Sequence, residues 1–201
     1  YGARMKHLNA RTYAGLNWKL NSVEGKHRKE AAPERNQFVS LSAGTGFHTG
    51  TLNANMPFGR KLNIDASVAY GRWYNAVSGW SAGITNTTIL TPRRDNANIT
   101  AIHGDYLFNI MTLTGGKEQL DSPVMLNGYV GAELNIAARP DHETRVAPGL
   151  RAGLQIGGNV GKNWSIYAEP HANITTKNIW VGSTHPADGQ VGLMIGTKYK
   201  F

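Results

Sequence analysis

The chain contains no cysteine among its 201 residues. That excludes a disulfide scaffold and a thiolate metal site without fixing a compartment. It also lacks any run of about 18 apolar residues, so no helical membrane span can be drawn. A negative mean hydropathy still suits a membrane barrel, because each strand of a barrel is apolar on one face only. No secretory signal opens the chain, since Tyr1 to Lys6 leads into polar residues; on a barrel reading the chain is expected to be the mature form. Clustered charge is missing too. The formal net charge is +8, yet the basic residues are scattered singly or sit in polar stretches such as Lys26 to Lys29 and Arg93-Arg94. Without a basic stripe, nucleic acid is not an expected partner, and anionic lipid headgroups are the more natural counterpart.

What the chain does have is alternation. Its last twelve residues, QVGLMIGTKYKF, place Val191, Leu193, Ile195, Thr197, Tyr199 and Phe201 on one parity. Gln190, Gly192, Gly196, Lys198 and Lys200 fall on the other, with Met194 the single apolar intruder. A strand that ends on an aromatic, with a second aromatic two places earlier on the same face, resembles the C-terminal strand that the outer-membrane assembly machinery reads. Tyr199 and Phe201 are the expected assembly signal. An edge strand of a soluble sheet would show the same alternation.

The pattern recurs upstream. Val39 to Phe47, Leu62 to Tyr70, Trp80 to Ile84, Ile99 to Thr112, Leu126 to Ile136, Leu150 to Ile156 and Trp164 to Ile174 each alternate, and polar stretches separate them. Eight amphipathic strands therefore follow Asn36. Short connections (Asn75 to Gly79, Gly158 to Asn163) alternate with longer polar ones, among them Thr91 to Asn98 and a charged loop from Arg139 to Arg145. That is the arrangement of an up-and-down antiparallel transmembrane β-barrel, all-β and eight-stranded. A lipocalin-type soluble barrel would instead turn its apolar faces inward. The division expected is an N-terminal extension over residues 1–35 and a barrel over 36–201. Residues 7–20 also alternate, so one more strand and a ten-strand barrel remain an alternative. Asn21 to Arg35, with seven charged residues and a proline, reads as a solvated linker.

The polar parity carries the candidate site. Asp65, His103, Asp105, Glu133, Arg151, Glu169, His171, Lys198 and Lys200 lie on it among small residues. A narrow lumen filled with paired charges accounts for them, since an eight-stranded barrel is just wide enough for side chains to fill. His103 with Asp105, and Glu169 with His171, have acid/base spacing, but a lumen network that keeps charges satisfied is the blander explanation. Asp141-His142-Glu143 offers three potential cation ligands pointing in different directions, which reads as a solvated loop, and no cofactor is expected. Four Asn-x-Ser/Thr sequons, at Asn86, Asn98, Asn163 and Asn173, are chance matches in an Asn- and Thr-rich chain. Trp18, Trp73, Trp80, Trp164 and Trp180, with Tyr70, Tyr74, Tyr199 and Phe201, mostly fall near strand ends, where they would anchor a barrel at the membrane interface.

Several segments, IHGDYLFNI (102–110) before Gly115-Gly116, VAYGRWY (68–74), NGYVGAELN (127–135) and the closing GLMIGTKYKF, resemble the barrel portion of OmpA-family outer-membrane proteins of Bacteroidetes. The resemblance covers about Asn36 to Phe201. It implies an eight-stranded barrel in the bacterial outer membrane, in contact with lipid, lipopolysaccharide and the barrel assembly machinery, often followed by a peptidoglycan-binding domain. The chain stops at Phe201, so a peptidoglycan tether is not carried over. The function expected is a non-enzymatic barrel with a filled lumen, serving envelope integrity or as a membrane-embedded subunit of a larger assembly with other outer-membrane or periplasmic proteins. A narrow-pore channel for small solutes, or a barrel enzyme acting on lipid or peptide, are the alternatives.

Overall fold

The computed structural model describes residues 35–48, 62–89, 97–114, 123–139, 142–176, 179 and 187–201. Eight strands run in chain order: β1 (Gln37–His48), β2 (Leu62–Trp73), β3 (Ser78–Ile89), β4 (Ala97–Asn109), β5 (Val124–Arg139), β6 (His142–Asn159), β7 (Trp164–Thr176) and β8 (Ala187–Lys200). One short helix, α1 (Ile110–Leu113), follows β4. Each strand pairs antiparallel with the next, and β8 closes on β1 from Phe38↔Lys200 to His48↔Gln190. Closure removes both sheet edges, so no row of backbone donors and acceptors faces outward. It also rules out the ten-strand alternative, because β1 already occupies the place beside β8. The strand expected over residues 7–20, its linker, Trp18 and Trp180 lie outside the described residues.

The alternation seen in the sequence becomes an inside and an outside. The outward parity is greasy: Leu150 is 68% exposed, Ile195 67%, Ile174 62% and Leu41 61%, with Ile64, Val68, Val130 and Ile166 close behind. A soluble protein rarely leaves so continuous an apolar surface in water. Each large aliphatic gains roughly 1.5–3 kcal/mol by leaving water, so a hydrocarbon surround stabilises the barrel. This distribution excludes the lipocalin arrangement, in which the same side chains would face inward.

Local chemistry sets the turns. Residues 74–77 join β2 to β3, with the Asn75 side chain accepting from the backbone N–H of Val77 and Ser78, both at 2.8 Å. Residues 160–163 join β6 to β7 through Gly161 at φ 92°, a left-handed conformation that suits glycine.

Three expectations are corrected. The strand expected to run on to Thr112 stops at Asn109, whose side chain caps α1 by accepting from Thr112 N–H at 3.3 Å. The charged loop expected over Arg139 to Arg145 is mostly strand: β5 and β6 stay paired to Arg139↔His142, with an irregularity between Ala137 and Arg139. Trp73, expected at the membrane interface, faces inward and is buried with Phe38, Leu107 and Tyr129. It lies on the parity of Asn63 and Asp65, which overrides its position at a strand end.

Candidate functional site

The inward parity builds a layered lumen. Phe38, Trp73, Leu107 and Tyr129 form an apolar layer toward the end where the chain terminates, and Ile99, Ala137, Ala147 and Ile179 form another toward the opposite end. Met194, the one apolar residue on the polar parity of β8, is 1% exposed and packs against Ser42, whose Oγ lies 3.6 Å from its sulfur.

Between these layers sits a charged knot centred on Arg151 of β6. Its Nε lies 3.3 Å from Asp105 Oδ1 on β4, and its Nη2 lies 3.6 Å from Glu169 Oε1 on β7. Nη2 also donates to Tyr129 Oη at 3.1 Å. The guanidinium stands 5.0 Å from the centre of the Tyr129 ring, within cation–π range. Tyr129 in turn donates to Glu169 Oε1 at 2.9 Å, and Gln155 Nε2 donates to the other oxygen of that carboxylate at 2.9 Å. Asp105 Oδ2 is 2.9 Å from His103 Nδ1 and accepts from Ser81 Oγ at 3.3 Å.

Toward the terminal end, Lys198 Nζ donates to Gln155 Oε1 at 2.6 Å and lies 4.6 Å from the Phe38 ring centre and 5.2 Å from that of Tyr167. Gly196 makes room for Tyr167; a Cβ there would sit 2.6 Å from the phenolic oxygen. Lys200, half-buried, donates to Asn159 Oδ1 at 2.7 Å.

A second cluster surrounds Asp65. Its Oδ1 accepts from Thr87 Oγ1 at 2.7 Å and Asn63 Nδ2 at 2.9 Å, and both oxygens accept from Gln190 Nε2 at 3.1 and 3.2 Å. His171 Nε2 is 3.9 Å from Oδ2. Glu133 accepts from Asn135 Nδ2 at 2.8 Å, which also reaches Thr175 Oγ1 at 3.4 Å.

All nine lumen candidates therefore face inward; seven fall in two groups, while Glu133 and Lys200 bond to Asn135 and Asn159. Arg151 brings Asp105, Glu169 and His103 together, and Gln155 links Lys198 to them; Asp65 gathers His171. The equal spacing of the two His–carboxylate pairs gives unequal geometry. His103 meets the Asp105 carboxylate, whereas His171 Nδ1 meets only the backbone oxygen of Glu169, at 3.4 Å. The His103 and Asp105 side chains are 2% and 4% exposed, so substrate could not reach them without rearrangement of the lumen. Tyr129, Gln155, Asn63 and Gln190 carry as much of the network as the charged residues. Their signal was the shared parity, which a search confined to ionisable side chains passes over. Among the described residues no group of three or more His, Asp or Glu is placed to hold a metal ion.

Small cavities remain along the axis. One of about 30 Å³ lies toward the end opposite Phe201, between residues that include His48, Glu133, His171 and Arg151. Another of about 20 Å³ lies around His103, Asp105 and Gln155, and a third of about 20 Å³ near Trp73, Asn159 and Lys198. Each has room for a water or two, since one water needs roughly 10–15 Å³ of such space.

The outer rim at the terminal end is aromatic. Trp164 lies near Tyr199 at 4.9 Å between ring centres, Tyr199 stacks on Phe201 at 6.3 Å, Phe201 lies near Tyr70 at 6.5 Å and Tyr70 meets Trp80 edge-on at 5.7 Å. Such a girdle below an apolar band marks a membrane interface.

No protein-family model and no curated protein matches the sequence. Among solved structures, the chain is similar to Neisserial surface protein A, with a TM-score of 0.64 at 15% identity, covering 82% of this chain and 97% of that one. It is also similar to Ail, the attachment invasion locus protein of Yersinia pestis, with a TM-score of 0.54 at 15% identity over 84% and 99% of the two chains. The fold is that of bacterial outer-membrane β-barrels. An apolar band around it and an aromatic girdle at one rim accompany that fold, and the described inward side chains occupy most of the lumen.

Proposed function

We propose that the protein is a non-enzymatic outer-membrane barrel of OmpA-like type, related to the Bacteroidetes proteins its motifs resemble, with a sealed lumen. It serves envelope integrity or forms a membrane-embedded subunit of a larger outer-membrane complex. The observation that carries this reading is the cross-lumen network from Lys198 through Gln155, Glu169, Tyr129 and Arg151 to Asp105. It ties β4 to β8 through the interior, where low dielectric makes satisfied polar networks rigid. A catalytic role finds no support in groups this inaccessible to lipid or peptide.

On this reading the partners are outer-membrane lipid and lipopolysaccharide along the apolar belt and the barrel assembly machinery at Tyr199 and Phe201, with other outer-membrane or periplasmic proteins in the assembled complex. Planar-bilayer recording of the purified chain tests it: an electrically silent membrane is expected. Steady, reproducible openings would overturn the sealed lumen in favour of a narrow pore for small solutes. An activity on lipid or peptide lost on His103→Ala or Asp105→Ala would overturn the non-enzymatic part.

A further inference from the structure

Two of the four sequons lie on β3 and β4 and face outward, into what should be the apolar band. The antiparallel register sets Asn86 opposite Thr100 and Thr88 opposite Asn98, so each asparagine meets the other motif's threonine. Asn86 Nδ2 donates to Thr100 Oγ1 at 3.2 Å, and Thr88 Oγ1 donates to Asn98 Oδ1 at 2.9 Å. The flanking strands are apolar at the same level, with Ile64 opposite Thr88 on β2 and Ile136 opposite Thr100 on β5.

Asn86 lies six residues along β3 from Trp80, and Thr100 six along β4 from Tyr106. At about 3.3 Å per residue and a strand tilt near 40°, that puts the quartet roughly 15–20 Å from the aromatic rim, inside a band about 25 Å tall. Polar groups left unsatisfied in hydrocarbon cost several kcal/mol each. An asparagine amide has two N–H donors and can accept as well. Among the described residues the two rungs use one Asn86 N–H and none of Asn98's, which leaves Asn98 Nδ2, the Thr100 hydroxyl and the second Asn86 N–H to bond outward.

We propose that this notch on β3–β4 binds a saccharolipid of the outer leaflet, a phosphorylated sugar headgroup carrying amide-linked hydroxyacyl chains. The inference rests on the outer-membrane reading and names a site for one of its lipid partners. The quartet lies at the end opposite Phe201, where residues 49–61, 90–96, 140–141 and 177–186 separate the strands, 32 in all, against 22 at 74–77, 110–123 and 160–163. Longer connections belong to the outward face of such barrels. Amide and hydroxyl groups at the acyl linkages offer donors and acceptors together, which matches Asn and Thr. A second copy of the chain fits less well, because four small side chains on two strands provide far less than the roughly 800 Å² per partner of a stable interface.

The test is native mass spectrometry of the folded full chain with lipid A and phosphatidylethanolamine in competition, comparing wild type with Asn86→Leu/Thr88→Val/Asn98→Leu/Thr100→Val. The wild type should prefer lipid A by roughly tenfold, the weight of one or two net hydrogen bonds, and the variant should lose that preference. Equal preference in both proteins, or none in the wild type, would overturn the proposal. So would a wild-type dimer that the variant lacks, which would make the occupant a second copy. Heat-modifiable migration of both proteins keeps the two readings apart: if neither migrates as a folded barrel, the outer-membrane reading fails before lipid choice is read. Should the fourfold variant alone misfold, Asn86→Leu/Asn98→Leu carries the same comparison.

Discussion

The Nε of Arg151 lies 3.3 Å from Oδ1 of Asp105, across the lumen from β6 to β4, strands that share no backbone pairing. Both residues are buried, and Glu169 and Tyr129 share the same guanidinium. Removing one partner of a buried pair leaves the other uncompensated, a loss of roughly 3–5 kcal/mol. Arg151→Ala should therefore be strongly destabilised in a urea titration in liposomes. Arg151→Ala/Asp105→Ala should lose less than the sum of the single variants, because the two sites are coupled. Strict additivity would show that the pair does not act as one unit.

Lys198 is fully buried, with one hydrogen-bonding partner in Gln155 and two aromatic faces. Lys198→Met sheds the desolvation cost of a buried charge and leaves only the neutral Gln155 Oε1 without its donor, so it should cost less than Gln155→Leu. Gln155→Leu should lose about 1–3 kcal/mol, because it strips a partner from both Lys198 and Glu169. The same urea titration measures both, and a reversed order would refute the assignment of Gln155 as the linking residue.

Trp73 faces the lumen while Trp164 is 50% exposed on the outer wall. In variants that keep a single tryptophan, lipids with brominated acyl chains should quench Trp164 strongly and Trp73 weakly. Equal quenching would contradict the inward placement of Trp73.

Phe201 N–H donates to Gln37 O at 3.0 Å, so the last residue closes the β8–β1 seam, and its ring joins the aromatic rim. Deleting Phe201 should leave the protein unassembled in the periplasm. Normal heat-modifiable migration of the truncated chain would count against Phe201 as an assembly signal.

The outer surface was legible because strand side chains alternate with a period of two and one face of a membrane barrel must be apolar throughout. Leu41, Ile64, Leu150 and Ile195 could be assigned to a common face from spacing alone. Length and turn chemistry then supplied the strand count. Charge misled at Arg139 to Arg145, where backbone pairing between β5 and β6 continues to Arg139↔His142 whatever the side chains' polarity. Strand-end position misled at Trp73, where parity decides.

The sequence by itself determined that eight two-faced strands follow Asn36 and that one face of each gathers the ionisable residues, since both properties are periodic and local. Only the tertiary structure decided that β8 closes on β1, that Arg151 rather than a histidine ties the carboxylates together, and that Asn86 and Asn98 meet each other's threonines. These depend on the pairing register and on distances across the lumen, which join residues far apart in the chain and leave no local periodicity to read.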